Sequence, residues 1–120
     1  MSYTREIIRK VTVDINGKEK QVEALYEALC SMFGSKTCEW DMEYNLTTDD
    51  YAYTIKAKET GVETVYPGCY TLSNGDPGYP DEYADDLGLY EESVTDFIDE
   101  FAESRNYEFE YFVNSVDDYN

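Results

Sequence analysis

Apolar and polar residues alternate strictly over two neighbouring stretches of the chain. In TCEWDMEYNL (37–46), Cys38, Trp40, Met42, Tyr44 and Leu46 alternate with Glu39, Asp41, Glu43 and Asn45. In YAYTIKAKE (51–59), Tyr51, Tyr53, Ile55 and Ala57 alternate with Ala52, Thr54, Lys56 and Lys58. A period of two marks a strand with one buried face. Folded as a hairpin around residues 47–50, the two stretches pair Leu46 with Tyr51, Tyr44 with Tyr53, Met42 with Ile55 and Trp40 with Ala57. The same register sets Asp41 against Lys56 and Glu39 against Lys58 on the other face. Aromatic and opposite-charge cross-strand pairs each add about 0.2–1 kcal/mol. This register therefore uses Lys56 and Lys58 inside the sheet, which leaves them poor material for a binding patch.

The remaining elements follow from the same kind of pattern. Val11, Val13 and Ile15 alternate with Thr12 and Asp14, which predicts a strand over 5–15. Asn16-Gly17 is a turn signal, and a short return strand over 18–21 is compatible with it. Val22, Leu25, Tyr26, Leu29 and Phe33 share one helical face, predicting a helix over 20–33 closed by Gly34. Gly61 allows a turn before a third meander strand over 62–66. Residues 67–90 hold all three prolines and the PG, NG and PG dipeptides, and read as a long irregular loop of the kind that often carries function. Val94, Phe97, Ile98 and Phe101 predict a helix over 91–104, with Ser93 and Asp96 in the spacing of a capping box. Tyr107, Phe109, Tyr111 and Val113 predict a closing strand over 107–113. The expected fold is α+β: an antiparallel sheet of about four to five strands with two helices on one face, compatible with a ferredoxin-like wrap.

Composition settles that this pattern belongs to a folded domain. Apolar residues make up 42% of the chain and aromatics 16%, too much for a disordered acidic segment. A length of 120 residues suits one core. The net charge of −18 lies far beyond the magnitude of about 2 to 8 that solubility asks of a small domain. Eight basic residues nearly offset ten acidic ones before residue 59, leaving −2. From residue 59 onward Arg105 alone stands against seventeen acidic residues, leaving −16. Such a charge disfavours direct binding to nucleic acid or to an anionic membrane surface, and points to a basic surface or a cation as partner. No apolar run reaches the roughly 20 residues of a membrane span, and the first residues lack the apolar segment of a signal peptide. The odd number of cysteines, without CxxC spacing, fits a reduced cytoplasmic protein.

Little enzymatic chemistry is open to this composition. The chain has no histidine, which excludes Ser-His and Cys-His nucleophilic catalysis. Neither GxGxxG nor GxxxxGK occurs, so no phosphate loop is expected. Cys30, Cys38 and Cys69 lack zinc-ligand spacing, and Cys30 and Cys38 read as small buried hydrophobes. SNGDPGYPDEYADD (73–86) is rich in carboxylates but does not fit the spacing of a calcium loop. Carboxylate pairs suited to glycoside hydrolysis arise by chance among so many acids. No metal, no cofactor and no enzymatic activity are expected.

The surplus of charge gathers in YPDEYADDLGLYEESVTDFIDEFAE (79–103), which holds ten carboxylates and no cation. Glu91, Glu92, Asp96, Asp99, Glu100 and Glu103 fill the positions that the apolar stripe of the second helix leaves over. At about 1.5 Å of rise per residue they recur about every 3.6 Å along the axis. One strand of duplex DNA presents a charge about every 3.4 Å. A solvated helix face is the plain alternative, but the excess extends upstream through Asp76, Asp81, Glu82, Asp85 and Asp86 and downstream through Glu108, Glu110, Asp117 and Asp118. Repulsion on this scale opposes compaction and implies a compensating use. Tyrosines lie among the acids at Tyr66, Tyr70, Tyr79, Tyr83 and Tyr90, and tyrosine is enriched at binding hot spots. The candidate partner-binding residues are Asp76, Asp81, Glu82, Tyr83, Asp85, Asp86, Tyr90, Glu91, Glu92, Asp96, Asp99, Glu100 and Glu103.

In YPDEYADD, LYEES and DFIDEFAE, with its short length and absent histidine, the chain resembles the small acidic phage- or plasmid-encoded inhibitors that mimic DNA, the anti-CRISPR and anti-restriction proteins. The likeness is one of character over residues 76–118. It implies a CRISPR effector or restriction enzyme as target, blocked at its DNA- or guide-binding surface in the cytoplasm of a bacterial host. A module that binds its partner by shape through the Tyr-rich loop 66–90 is the alternative expectation.

Overall fold

A computed structural model describes residues 6–34, 38–46, 51–62, 69–72 and 74–119. The elements in chain order are β1 (Glu6–Asn16), α1 (Glu19–Phe33), β2 (Cys38–Leu46), β3 (Tyr51–Val62), β4 (Tyr70–Thr71), β5 (Pro77–Gly78), α2 (Pro80–Leu87), α3 (Glu91–Arg105) and β6 (Glu110–Tyr119). The main sheet has the order β2-β3-β1-β6 with every neighbour antiparallel. This is the order a ferredoxin-like wrap would give. The α+β architecture is as expected, with a third, short helix that sequence patterning did not predict.

The hairpin forms in the expected register. Leu46 pairs with Tyr51, Tyr44 with Tyr53, Met42 with Ile55 and Trp40 with Ala57. Lys58 reaches Glu39 at 3.7 Å, as the register demands. Lys56 instead takes the diagonal Glu43 at 3.0 Å, and the Asp41 carboxylate accepts the Met42 N–H at 3.0 Å.

One face of the sheet is covered and the other is open. On β1 the row Ile7, Arg9, Val11, Val13 and Ile15 is buried, and the intervening residues are exposed or half-buried. Against this row pack Val22, Leu25 and Leu29 of α1 and Val94, Ile98 and Phe101 of α3. Each such side chain contributes about 1.5–3 kcal/mol by leaving water. Phe33 joins the two helices through Phe97, with ring centroids 5.5 Å apart at 73°.

Several boundaries differ from the patterned expectation. No return strand forms over 18–21, because both edges of β1 are taken by β3 and β6 and Glu19 already opens α1. Gly61 makes no turn: β3 runs on to Val62, with Gly61 opposite Ile7. The rest of the expected strand over 62–66 lies outside the described residues. Glycine is needed at 61 because a Cβ there would stand 1.8 Å from the Tyr83 ring of α2. The capping box at Ser93 is unused, since Tyr90 is the N-cap and no side chain caps α3. The closing strand starts at Glu110 and not at 107, because Tyr107 and Phe109 pack edge-on as an aromatic series with Phe101.

The described part of the expected loop 67–90 holds two short strands and a helix. β4 and β5 form a miniature hairpin around Asn74 and Gly75, the latter at φ 90°. Pro80 opens α2, Asp81 and Glu82 fill its first turn, and Gly88 closes it at φ 78°. Proline at the start, acid in the first turn and glycine past the end are the signals of a helix. Reading the Pro and Gly residues only as breakers concealed them.

Candidate anionic interaction surface

Helices α2 and α3 position ten carboxylates. On α2, Asp81, Glu82, Asp85 and Asp86 are all exposed. On α3, Glu91, Glu92, Asp96, Asp99, Glu100 and Glu103 are exposed around the stripe that packs on the sheet. Asp76, beside the miniature hairpin, is exposed too. The one cation on these helices is Arg105, at the C-terminal end of α3, whose guanidinium lies 4.1 Å from the Phe101 ring centroid. The acidic residues of the last strand divide between the two faces. Asp117 lies in the row that faces the helices, whereas Glu110 and Asp118 share the open face with Phe112 and Val116.

The structure places the tyrosines of this region differently from one another. Tyr70 is fully buried and stacks on the half-buried Tyr83, with centroids 5.1 Å apart. Burial, aided by the charges of Asp86 and Glu59, raises the Tyr83 pKa above that of a free phenol. Tyr90 is half-buried, and its hydroxyl donates to the Asp85 carbonyl. Among the described tyrosines of this region, Tyr79 alone is strongly exposed, at 71%. Tyr83 and Tyr90 therefore hold the acidic helices in place, and Tyr66 lies outside the described residues.

What fixes α2 and α3 on the sheet is a pair of buried charges that sequence patterning passed over. Arg9 and Glu59 stand opposite each other on β1 and β3, each 8% exposed. Between them they hold the backbone of Leu89, a buried residue in the connection from α2 to α3. Arg9 Nε–H donates to the Leu89 carbonyl, and the Leu89 N–H donates to the Glu59 carboxylate. A buried backbone group without a partner costs free energy comparable to a lost hydrogen bond, so this pair makes burial of Leu89 possible. The Arg9 guanidinium lies 4.7 Å from the Tyr90 ring centroid, 3.6 Å from Asp117 and 4.0 Å from Asp85. Burial pushes the Glu59 pKa up to about 7, against the lowering effects of the Leu89 hydrogen bond and the Arg9 charge. The signal was present in the sequence: residues 9 and 59 both continue the buried rows of their strands, where a charged residue demands a partner.

Asp99 and Asp85 are tied into the fold. Asp99 accepts the Tyr111 hydroxyl of β6, and burial together with that bond raises the Tyr111 pKa. Asp85 takes part in the Arg9 cluster. Burial, then the charge of Glu59, pushes the Cys38 pKa up to about 11, which disfavours its reactive thiolate. Among the described residues no group of three Cys, Asp or Glu side chains is arranged to hold a metal ion. No helix among them is long and apolar enough to cross a membrane.

The lysines occupy other ground. Lys10, Lys56 and Lys58 stand on the open face of the sheet, the latter two in ion pairs. Lys18 and Lys20 flank the start of α1, which also carries the exposed Glu23 and Glu27. Carboxylates thus occur on several sides of the molecule, and their greatest density lies on α2 and α3.

Comparison with protein-family models and with curated proteins finds no match. Among solved structures, the chain is similar to the de novo designed protein Foldit4, at 12% identity and a TM-score of 0.50, over 92% of this chain and 96% of that one. The likeness concerns the fold alone.

Proposed function

We propose that the chain is an acidic protein inhibitor that stands in for nucleic acid and blocks the DNA- or guide-binding surface of a basic defence nuclease, such as a CRISPR effector or a restriction enzyme. It acts by binding and not by catalysis, in the cytoplasm of a bacterial host. The observation that carries this reading is the concentration of charge: ten carboxylates stand on α2 and α3 with a single arginine, whereas the open face of the sheet interleaves Lys10, Lys56 and Lys58 with Glu39, Asp41 and Glu43. Channels that hold nucleic acid are lined with Arg and Lys. Carboxylates accept charge-assisted hydrogen bonds from those side chains in place of phosphate oxygens. Because α2 and α3 are fastened to the sheet through Arg9, Glu59 and Tyr83, little ordering entropy is lost on binding.

The test is displacement of labelled DNA from a purified CRISPR effector and a purified restriction enzyme. Stoichiometric chain is expected to release the DNA, with affinity falling at least about tenfold between about 50 mM and about 200 mM salt. The combined variant Asp81→Asn, Glu82→Gln, Asp85→Asn and Asp86→Asn is expected to release none. DNA that stays bound with the unmodified chain, or leaves equally well with that variant, removes the proposal.

A further inference from the structure

We infer that the free edge of β6 seats an extended cationic segment of the partner, added to the sheet as a further strand. Among the described residues β6 pairs only with β1, and that pairing runs unbroken from Glu110 to Tyr119 without a bulge. Exposed edge strands are usually guarded by lysine, proline or a bulge, since their free N–H and C=O groups invite another chain. The sequence EYFVNSVDDY contains neither lysine nor proline, and its charges, Glu110, Asp117 and Asp118, are all negative, so they turn away an acidic strand and admit a cationic one. Two large apolar side chains stand exposed on its open side, Phe112 at 65% and Val116 at 57%.

Charge identifies the occupant. Glu92, Asp96, Asp99 and Glu103 recur at steps of four, three and four residues, which sets them along one side of α3. That side adjoins β6, because Tyr111 donates to Asp99 and feels the charge of Asp96. The acidic row covers about 16 Å at about 1.5 Å per residue. Alternate side chains of an added strand fall about 6.7 Å apart, so about three of them lie along it. Those positions call for Lys or Arg. The intervening side chains fall on the open face beside Phe112 and Val116 and call for apolar residues. A second copy of this chain does not suit the seat, because its own charge of −18 opposes it. Strand addition of this kind draws affinity from main-chain hydrogen bonds and specificity from alternate side chains.

The inference rests on the reading of a cationic partner but lives on different atoms from the α2 carboxylates, so the two fail separately. The probe is a short capped peptide of alternating Lys and Val, with a control of the same composition in blocks. Amide hydrogen exchange of the full chain is read with each. The alternating peptide is expected to slow exchange at the outward amides of β6 at least about tenfold and to leave β2, the other sheet edge, unchanged. The double variant Phe112→Lys, Val116→Lys is expected to bind it about tenfold more weakly, equivalent to ~1.4 kcal/mol. Both positions are exposed, and unchanged exchange in α1 shows that the variant folds. The combined α2 variant is expected to keep its affinity within about twofold. Equal binding of the block peptide, protection on α2 or β2 in place of β6, or no protection at all overturns the inference. If the peptide docks on β6 while DNA displacement fails, only the reading as a nuclease inhibitor falls.

Discussion

The β2–β3 hairpin and the α2–α3 layer both carry dense charge, and they handle it in opposite ways. In the hairpin, Glu39 and Glu43 meet Lys58 and Lys56 at 3.7 and 3.0 Å, so acid and base cancel across neighbouring strands. In the α2–α3 layer, ten carboxylates share one nearby arginine at the surface and one beneath it, and Arg9 beneath is already bonded to a backbone carbonyl. Charges on the hairpin complete a register. On the helices Asp85 and Asp99 also serve the fold, but ten carboxylates far outnumber the cations beside them, and that excess is what a partner is sought for.

The largest effect that separates the two regions is on binding. Removing the four α2 carboxylates is expected to abolish DNA displacement, whereas Glu39→Gln, Asp41→Asn and Glu43→Gln together should leave it within about twofold, since long-range steering by the remaining charge is largely screened at physiological salt. Equal losses from both sets would make net charge, and not position, the determinant. The next effect is on stability. Arg9→Met leaves Glu59 buried without its cation and orphans the Leu89 carbonyl, so urea unfolding should show a loss of about 3 kcal/mol or more. A loss below about 1 kcal/mol would mean that the pair does not secure the helices.

The pH dependence sharpens the comparison further. The Glu59 pKa rises in the fold from the ordinary 4.5 to about 7, so between those values the folded state holds a proton that the unfolded state has released. Stability contributed by this group is present below about pH 4.5 and is lost as pH rises through about 7. Relative to Glu59→Gln, the unmodified chain should lose stability from pH 5 to pH 8, as read in parallel urea melts; a difference that stays flat would remove Glu59 as the titrating group. The smallest effect belongs to the hairpin. Lys58→Met breaks an exposed ion pair and should change stability by no more than about 1 kcal/mol.

The sheet and its hairpin were readable because a buried face imposes a period of two, and a slip of one residue would expose Ile55 and Trp40 together. The helix at 80–87 was not read, because Pro80 and Gly88 mark helix ends as well as loops, and its eight residues give too little periodicity to decide. The acidic residues of the candidate surface were legible from composition alone. Their support was not: Arg9 and Glu59 lie fifty positions apart, and only the β1–β3 pairing brings them to a common point. Tyr83 and Tyr90 look like contact residues in the sequence, yet packing against Gly61, Tyr70 and Arg9 takes up their rings.

The absent side chain at Gly61 has a consequence for accuracy of placement. Tyr83 rests directly on the peptide backbone of β3, and not on a side chain that could change rotamer beneath it. The lateral position of α2 is thereby referred to the hydrogen-bonded backbone of the sheet. Any residue larger than glycine at 61 would push the Tyr83 ring off the β3 backbone and take away the contact that seats α2, with its four negative charges, at this place on the sheet.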